Sequence, residues 1–331
     1  MKGTNSITRF QRIFACASAI LILAAPRAWS QPGYPSKPIR VIVPIAAGSV
    51  TDVVMRAASQ ELSARVGQTL VIDNRTGASG IIGGEACAKA PPDGYTICAI
   101  YTATTSVNPH VFDKLPYDPA RDFAPITNLY YVTGALVVTA AMAVNSVEEL
   151  KALATSKPRA VNFGTIGPGS YPELFLAWLN SQWNADITAV PYKGGGPIML
   201  ALVAGEIQVS AVGLGNMIGQ LRSGQLKALA VSGSKRSRLF PNVPTLAETG
   251  LGGYAGNLWW GLAAPAATPK PIVARLNAEF VRLFKEPRFA EFLESQAVEP
   301  AVTTPEAFAS FLQADREWTA TLIKSSREPR R

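Results

Sequence analysis

From residue 38 onward the chain alternates between short β-rich runs and stretches with helical spacing, and it does so in two separate sets. Residues 39–43 form a β-rich run closed by Pro44. A glycine-containing loop follows, and then Val54, Ala58, Leu62 and Val66 recur every four residues as one apolar stripe. A second strand is expected over 69–72 and a third over 95–100. Between them a loop at 77–84 enters a helix carrying Glu85 to Lys89. The second set begins with a buried strand at 134–139. Ser146 and Glu149 then make a capping-box pattern for a helix running to about residue 155. Strands over 161–163, 187–191, 207–212 and 226–231 alternate with helices at about 171–181, 196–205 and 215–223. This rhythm argues for parallel βαβ units.

The C-terminal part reads as mostly helical. Thr268 and Pro269 form a cap with proline at the first helical position, followed by a stripe of Ile272, Leu276, Phe280 and Leu283. Thr304, Pro305 and Glu306 open another helix, with Phe308, Phe311, Leu312, Trp318 and Leu322 on one face. Two α/β sets plus a helical end fit a two-domain hinge protein whose chain returns to its first domain. The expected division is lobe 1 over 31–126 and 236–331 and lobe 2 over 127–235, with crossings near 127 and 235.

The first thirty residues read as an export signal. Lys2, Arg9 and Arg12 precede an apolar run at 13–25, and Ala28-Trp29-Ser30 places small residues at a cleavage site, leaving Gln31 as the mature start. The run is short for a bilayer span, and Cys16 within it has no lipoprotein context. The expected location is therefore the periplasm. Cleavage removes four basic residues and no acids, so the formal net charge falls from +8 to +4. That balance suits anion capture weakly. The basic run 327–331 reads as a solvated tail, with no nucleic-acid partner expected. Export makes a disulfide chemically possible between Cys87, on a helix, and Cys98, on the next strand. Spacing alone does not set the geometry, and two small buried apolar residues are the alternative.

Chemistry is expected where strands lead into helix starts, because free N–H groups and the helix dipole attract anions there. Three loops qualify. In the first, 44–52, Gly48 allows close approach of backbone, Ser49 and Thr51 add hydroxyls, and Asp52 caps or braces. The second is 164–170, and the third is 191–197, where Tyr192 and Lys193 can reach a carboxylate. Tyr192, Trp259 and Trp260 are candidates either to line a cleft or to pack in the core.

These loops also carry a resemblance. In one order stand Pro44-x-x-x-Gly48-x-x-Thr51-Asp52, Ala90-Pro-Pro-Asp-Gly-Tyr-Thr96, Leu115-Pro-Tyr-Asp118, Val190-Pro-Tyr-Lys-Gly-Gly195, Pro241-Asn-Val-Pro-Thr245 and Trp259-Trp-Gly-Leu-x-Ala-Pro265. Together they resemble the Bug family, the extracytoplasmic solute receptors of tripartite tricarboxylate transporters. The resemblance implies a two-lobed type II periplasmic-binding-protein fold, a Venus flytrap with a hinge. It implies recognition of a small organic acid largely through main-chain N–H groups and water, and delivery to the integral membrane subunits of a transporter. Carried over, the ligand residues are Ala47, Gly48, Ser49, Thr51 and Asp52, then Tyr101, Thr102, Thr104 and Thr105, then Thr165, Gly167, Gly169 and Ser170, with Tyr192 and Lys193 beside them. Two departures stand out: Gly48-Ser49 where the family commonly has paired glycines, and Glu173 where it often has histidine. If Glu173 faces the cleft, it disfavours a second carboxylate and favours an amino acid, a monocarboxylate or an aromatic acid.

Enzymatic function is not expected. The chain has one histidine, His110, with no nucleophile elbow, no phosphate-binding Walker loop and no metal-spaced Cys/His cluster. No cofactor and no metal are expected. A monomer is expected, since a transport receptor presents a free cleft. Two other classes share part of the pattern. One is a sensory module presenting its liganded form to a membrane receptor, and the other is a secreted α/β hydrolase working through an acidic pair.

Overall fold

In the computed structural model, which describes residues 33–254 and 258–327, the expected alternation takes the form of two mixed sheets. The expected export segment with Cys16, and residues 328–331 of the basic tail, lie outside the described residues. The first sheet opens with β1 (Ile39–Val43), α1 (Val50–Val66), β2 (Leu70–Asn74), α2 (Ile81–Ala88) and β3 (Thr96–Tyr101). A π-helical turn over residues 103–107 and α3 (Asn108–Val111) follow, then β4 (Phe123–Val132). The second sheet takes β5 (Gly134–Thr139), α4 (Val147–Ser156), β6 (Asn162–Thr165), α5 (Tyr171–Trp183), β7 (Thr188–Pro191), α6 (Gly195–Ala204), β8 (Val209–Gly213), α7 (Ile218–Arg222) and β9 (Leu226–Val231). The chain then rejoins the first sheet with β10 (Trp259–Pro265), α8 (Lys270–Phe284), α9 (Pro287–Ser295) and β11 (Val298–Pro300), and ends in α10 (Pro305–Arg327).

Strand order is β11-β4-β10-β3-β1-β2 in the first sheet and β7-β6-β8-β5-β9 in the second. The parallel βαβ expectation holds for β1 with β2 and β3, and for β6 with β7 and β8. Elsewhere it needs correction. Strand β10 is antiparallel to both β3 and β4, and β5 is antiparallel to both β8 and β9. Strands β4 and β10 escaped the sequence reading for physical reasons. β10 is buried along its whole length, so it shows no polar alternation. In β4, Pro125 cannot donate to the ladder, and the register against β10 slips between Leu262 and Ala263 at that point.

Local chemistry sets the helix ends. Ser49 Oγ accepts the Asp52 N–H at 3.2 Å to start α1. Val54, Ala58 and Leu62 are buried on that helix as their spacing requires, each worth up to about 1.5–3 kcal/mol for the larger side chains. Ser146 Oγ caps α4 at the Glu149 N–H, and the Glu149 carboxylate reaches back to the Asn145 N–H. On α8 the inward residue of the first turn is Val273 rather than Ile272, and Pro269 is the cap itself rather than the first helical residue.

Strand β5 divides the second core. Leu136 and Val138 pack with Phe163, Phe175, Leu179 and Trp183 on one face, while Ala135 and Val137 pack with Ile198, Leu202, Val212 and Met217 on the other. The first core gathers Ile42, Ile100, Phe123, Trp259 and Phe308. The passage from first sheet to second lies at Thr133, later than residue 127, because β4 runs through to Val132 in the first sheet. The return is also later than residue 235. Thr245 bridges Val231 at the margin of β9, and Leu246, Leu251 and Tyr254 fill the second core. Helix α10 begins against the first core with Phe308 and Leu312 and reaches the second with Leu322.

Cys87 of α2 and Cys98 of β3 form a disulfide, with Cα atoms 6.1 Å apart and both residues buried in the first core. The bridge closes a short loop, with a sequence separation of 11. Restricting the unfolded chain this way is worth roughly 2–3 kcal/mol. A Cys87→Ala/Cys98→Ala variant is expected to unfold at correspondingly lower urea, and dithiothreitol should lower the melting temperature of the parent but not of the variant. Equal sensitivity of the two would disprove the contribution.

Candidate ligand-binding site

A cavity of about 500 Å³ opens where the helix-start loops of both sheets meet. Three helix N-termini contribute to its wall: α1 through Ser49 to Thr51, α5 through Ser170 to Pro172, and α6 through Gly195. The first turn of a helix leaves its N–H groups without intrahelical acceptors, and the aligned peptide dipoles add partial positive charge there. Proline at the second position of α5 removes one of those donors, so Tyr171 and Glu173 carry the N–H groups of that turn. Parallel pairing of β1–β3 and of β6–β8 is what points these helix starts the same way.

The loop 44–52 is held open from behind. Gly48 adopts φ +79°, a left-handed conformation that glycine takes without Cβ strain. Its N–H donates to Asp52 Oδ2 at 3.0 Å. The same oxygen accepts from Arg56 Nε at 2.9 Å, and Oδ1 accepts from Asn74 Nδ2 at 2.9 Å. Burial alone would raise the Asp52 carboxyl, but the Arg56, Gly48 and Asn74 donors outweigh it and hold it below the ordinary aspartate value. Asp52 is thus the brace of the loop, and neither it nor Ala47 nor Gly48 lines the cavity.

The other expected residues divide in the same way. Ser49, Thr51, Tyr101, Thr102, Ser170, Tyr192 and Lys193 line the cavity. Thr104, Thr105, Thr165, Gly167, Gly169 and Glu173 are not among its lining residues. Thr104 and Thr105 are fully buried and turn their hydroxyls onto the Tyr101 carbonyl at 2.8 and 3.2 Å, fixing the end of β3. Thr165 Oγ1 accepts the Gly167 N–H. Gly169 sits against the first lobe, where a Cβ would fall 2.4 Å from Val107 Cγ1, so it is a point of close approach between the lobes. Glu173 is half-buried in the first turn of α5.

Three features of the wall add to the three expected loops. Residues 76–80 line the cavity, and Gly77, Ala78, Ser79 and Gly80 all have positive φ. Left-handed backbone at Ala78 and Ser79 costs about 1–2 kcal/mol per residue. The loop is pinned by Ser79 Oγ donating to the Pro168 carbonyl at 2.7 Å and by Asn108 Nδ2 donating to the Ser79 carbonyl at 3.1 Å. Second, Trp259 and Trp260 do line the cavity, along with Tyr171 and Tyr254. Tyr101 stacks on Trp260 with ring centres 4.5 Å apart, and Tyr171 meets Tyr254 edge-on at 5.6 Å. Burial pushes the Tyr101 and Tyr171 phenols up, so both stay neutral. Third, α10 contributes Asp315 and Trp318. Lys193 and Asp315 are the charged side chains of the lining. Burial raises the Asp315 carboxyl, opposed by hydrogen bonds from Ser106 and Trp259 and by the charge of Arg316. A signal for this acid was present in the sequence: Asp315 falls on the apolar face marked by Phe308, Phe311, Leu312, Trp318 and Leu322, where a carboxylate is out of place.

The family model described as the tripartite tricarboxylate transporter family receptor matches residues 54–327. The chain belongs to this family. Protein BugT of Bordetella pertussis is 30% identical over 322 residues, covering 97% of this chain and 98% of BugT. Among solved structures, Rpa4515 of R. palustris with adipate superposes with a TM-score of 0.85 at 31% identity, covering 88% of this chain and 98% of that one. The periplasmic binding protein BugD gives 0.83 at 29% identity, covering 88% and 98%. MatC from Rhodopseudomonas palustris with bound malate gives 0.81 at 30% identity, covering 88% and 100%. The receptor therefore has the two-lobed periplasmic-binding-protein fold, and its family is one of solute receptors, not of enzymes. Among the described residues, no helix is long and apolar enough to cross a membrane.

The Asp52 brace yields a pH prediction for the receptor. Because the folded-state carboxyl titrates below the ordinary value of 3.8, its contribution is fully present above that value and is lost as pH falls through the depressed one. Asp52→Asn is expected to lower stability at pH 7 and to flatten the loss of stability on acidification below about pH 4. Urea unfolding of both proteins between pH 7 and pH 2.5 measures this, and parallel curves would refute it.

Proposed function

We propose that this receptor works in the periplasm, exported by a signal peptide over residues 1–30, and closes its two lobes on a small organic carboxylate. The observation that carries the reading is the convergence of three helix N-termini, from both sheets, on one cavity of about 500 Å³. A carboxylate there accepts main-chain N–H groups from both lobes at once, so it binds the closed form better than the open one and shifts the population toward it. Solved relatives with adipate and malate support this ligand class. The closed receptor then delivers its ligand to the integral membrane subunits of a tripartite transporter, as a monomer that presents a single cleft. Recognition by Ser49, Thr51, Thr102, Ser170, Tyr192 and Lys193 is part of this proposal, with Asp52, Thr104, Thr105 and Thr165 supporting the backbone that carries the donors.

Val50→Pro tests the reading. Val50 is the first residue of α1, where proline is tolerated, and Ser49 before it is extended at φ −69°, ψ 158° as proline requires. The substitution removes the N–H of a residue that lines the cavity. A thermal-shift screen of ligand-stripped protein against mono-, di- and tricarboxylates and amino acids is expected to give a clear rise with at least one acid. The Val50→Pro variant, folded as judged by circular dichroism, should bind that acid at least tenfold more weakly. No shift with any acid would sink the carboxylate reading. An unchanged affinity in the variant would remove the α1 terminus from the site.

A further inference from the structure

The C-terminal helix α10 places Asp315 in the cavity wall beside aromatic rings. Resting on the carboxylate-receptor reading above, we propose that Asp315 selects a zwitterionic ligand, one bearing a protonated nitrogen as well as a carboxylate. The first support is the state of the carboxylate. Trp259 Nε1 donates to Oδ1 at 3.1 Å and Ser106 Oγ donates to Oδ2 at 2.5 Å. An indole N–H can only donate, so Oδ1 accepts from Trp259, and the Ser106 hydroxyl occupies one position on Oδ2. An ionised carboxylate has about four acceptor sites, so two donors leave it able to receive more.

The second support is the want of a direct ion pair, since the charge of Arg316 acts on Asp315 without a salt bridge to it. Asp315 forms no ion pair with any described residue, although it is half-buried and its surroundings are apolar and aromatic. A carboxylate so placed favours a positive partner, and a cation entering the cavity would supply it. The third support is the company it keeps. Trp318 lies three residues on, hence on the same face of α10, and Tyr101, Trp259 and Trp260 line the same cavity. Aromatic faces attract ammonium groups, most strongly where water is excluded. A second carboxylate near Asp315 would instead meet like charge in a partly dry site. Within one cavity, then, the helix termini suit an anion and the Asp315 region suits a cation.

The test is calorimetric titration of the full mature protein with matched pairs: ω-amino acids and α,ω-dicarboxylates of three to six carbons, plus glycine betaine and proline. The expected result is that the tightest ligand is a zwitterion, bound at least tenfold more tightly than the dicarboxylate of equal length. Asp315→Asn should abolish that preference, weakening the zwitterion at least tenfold while leaving the dicarboxylate unchanged or tighter. A wild-type preference for dicarboxylates would overturn the inference without touching the receptor reading, and it needs no variant. Loss of all binding by zwitterions and dicarboxylates alike in the wild type would count against the receptor reading itself. An Asp315→Asn variant that folds and keeps the zwitterion preference would overturn the role of Asp315. Should that variant fail to fold, Trp318→Leu provides the second arm, since losing the ring should weaken the zwitterion more than the dicarboxylate. Equal weakening of both ligands by Trp318→Leu would also count against the proposal.

Discussion

The structure turns on a hydrogen-bonded junction centred on Thr133, the single residue between the last paired position of β4 and the first of β5. Its N–H donates to the Ala297 carbonyl at 2.9 Å, and its carbonyl accepts the Leu214 N–H at 2.8 Å. On either side, the Val132 N–H donates to Leu258 and the Gly134 N–H to Ser232 Oγ, while the Ser232 N–H returns to the Gly134 carbonyl. These backbone groups are thereby tied to segments from elsewhere in the chain. One connecting residue gives little slack between the two sheets beside Val132 and Leu258. Both of these residues line the cavity. The crossing thus forms part of the cavity wall.

Given that crossing, strand direction does the rest. Parallel pairing in each sheet sends the helix starts to one side, and the tight loops bring polar backbone to a wall rich in aromatic rings. Water kept away from such a wall strengthens each N–H contact. The braces are part of the same design. Asp52 holds Gly48 from behind, Thr104 holds the end of β3, and Ser79 spans the two lobes to Pro168. Asp52 and Thr104, which the sequence marked as ligand contacts, therefore shape the backbone beside the cavity. This is the expected outcome where main-chain groups carry recognition, because the side chains next to them are then free to support.

The sequence by itself determined the class of fold and the three loops. Period-four stripes such as Val54, Ala58 and Leu62, and caps such as Ser49 and Ser146, are local, since a helix start depends on residues three or four apart. Turn glycines and strand runs are equally local, so the alternation, the helix starts and the ordered family motifs were all legible. Tertiary structure alone decided which strands run antiparallel, because β10 is buried throughout and the proline in β4 masks its alternation. It also decided whether Cys87 and Cys98 pair, since a spacing does not set the distance between a helix and a strand. Above all it decided which acid faces the cleft. Glu173 stands next to an anion-binding loop in sequence yet does not line the cavity, whereas Asp315, more than 140 positions away in the chain, does. A cavity wall is assembled from segments that meet only when both sheets and the final helix have packed, and no local rule links residues so far apart.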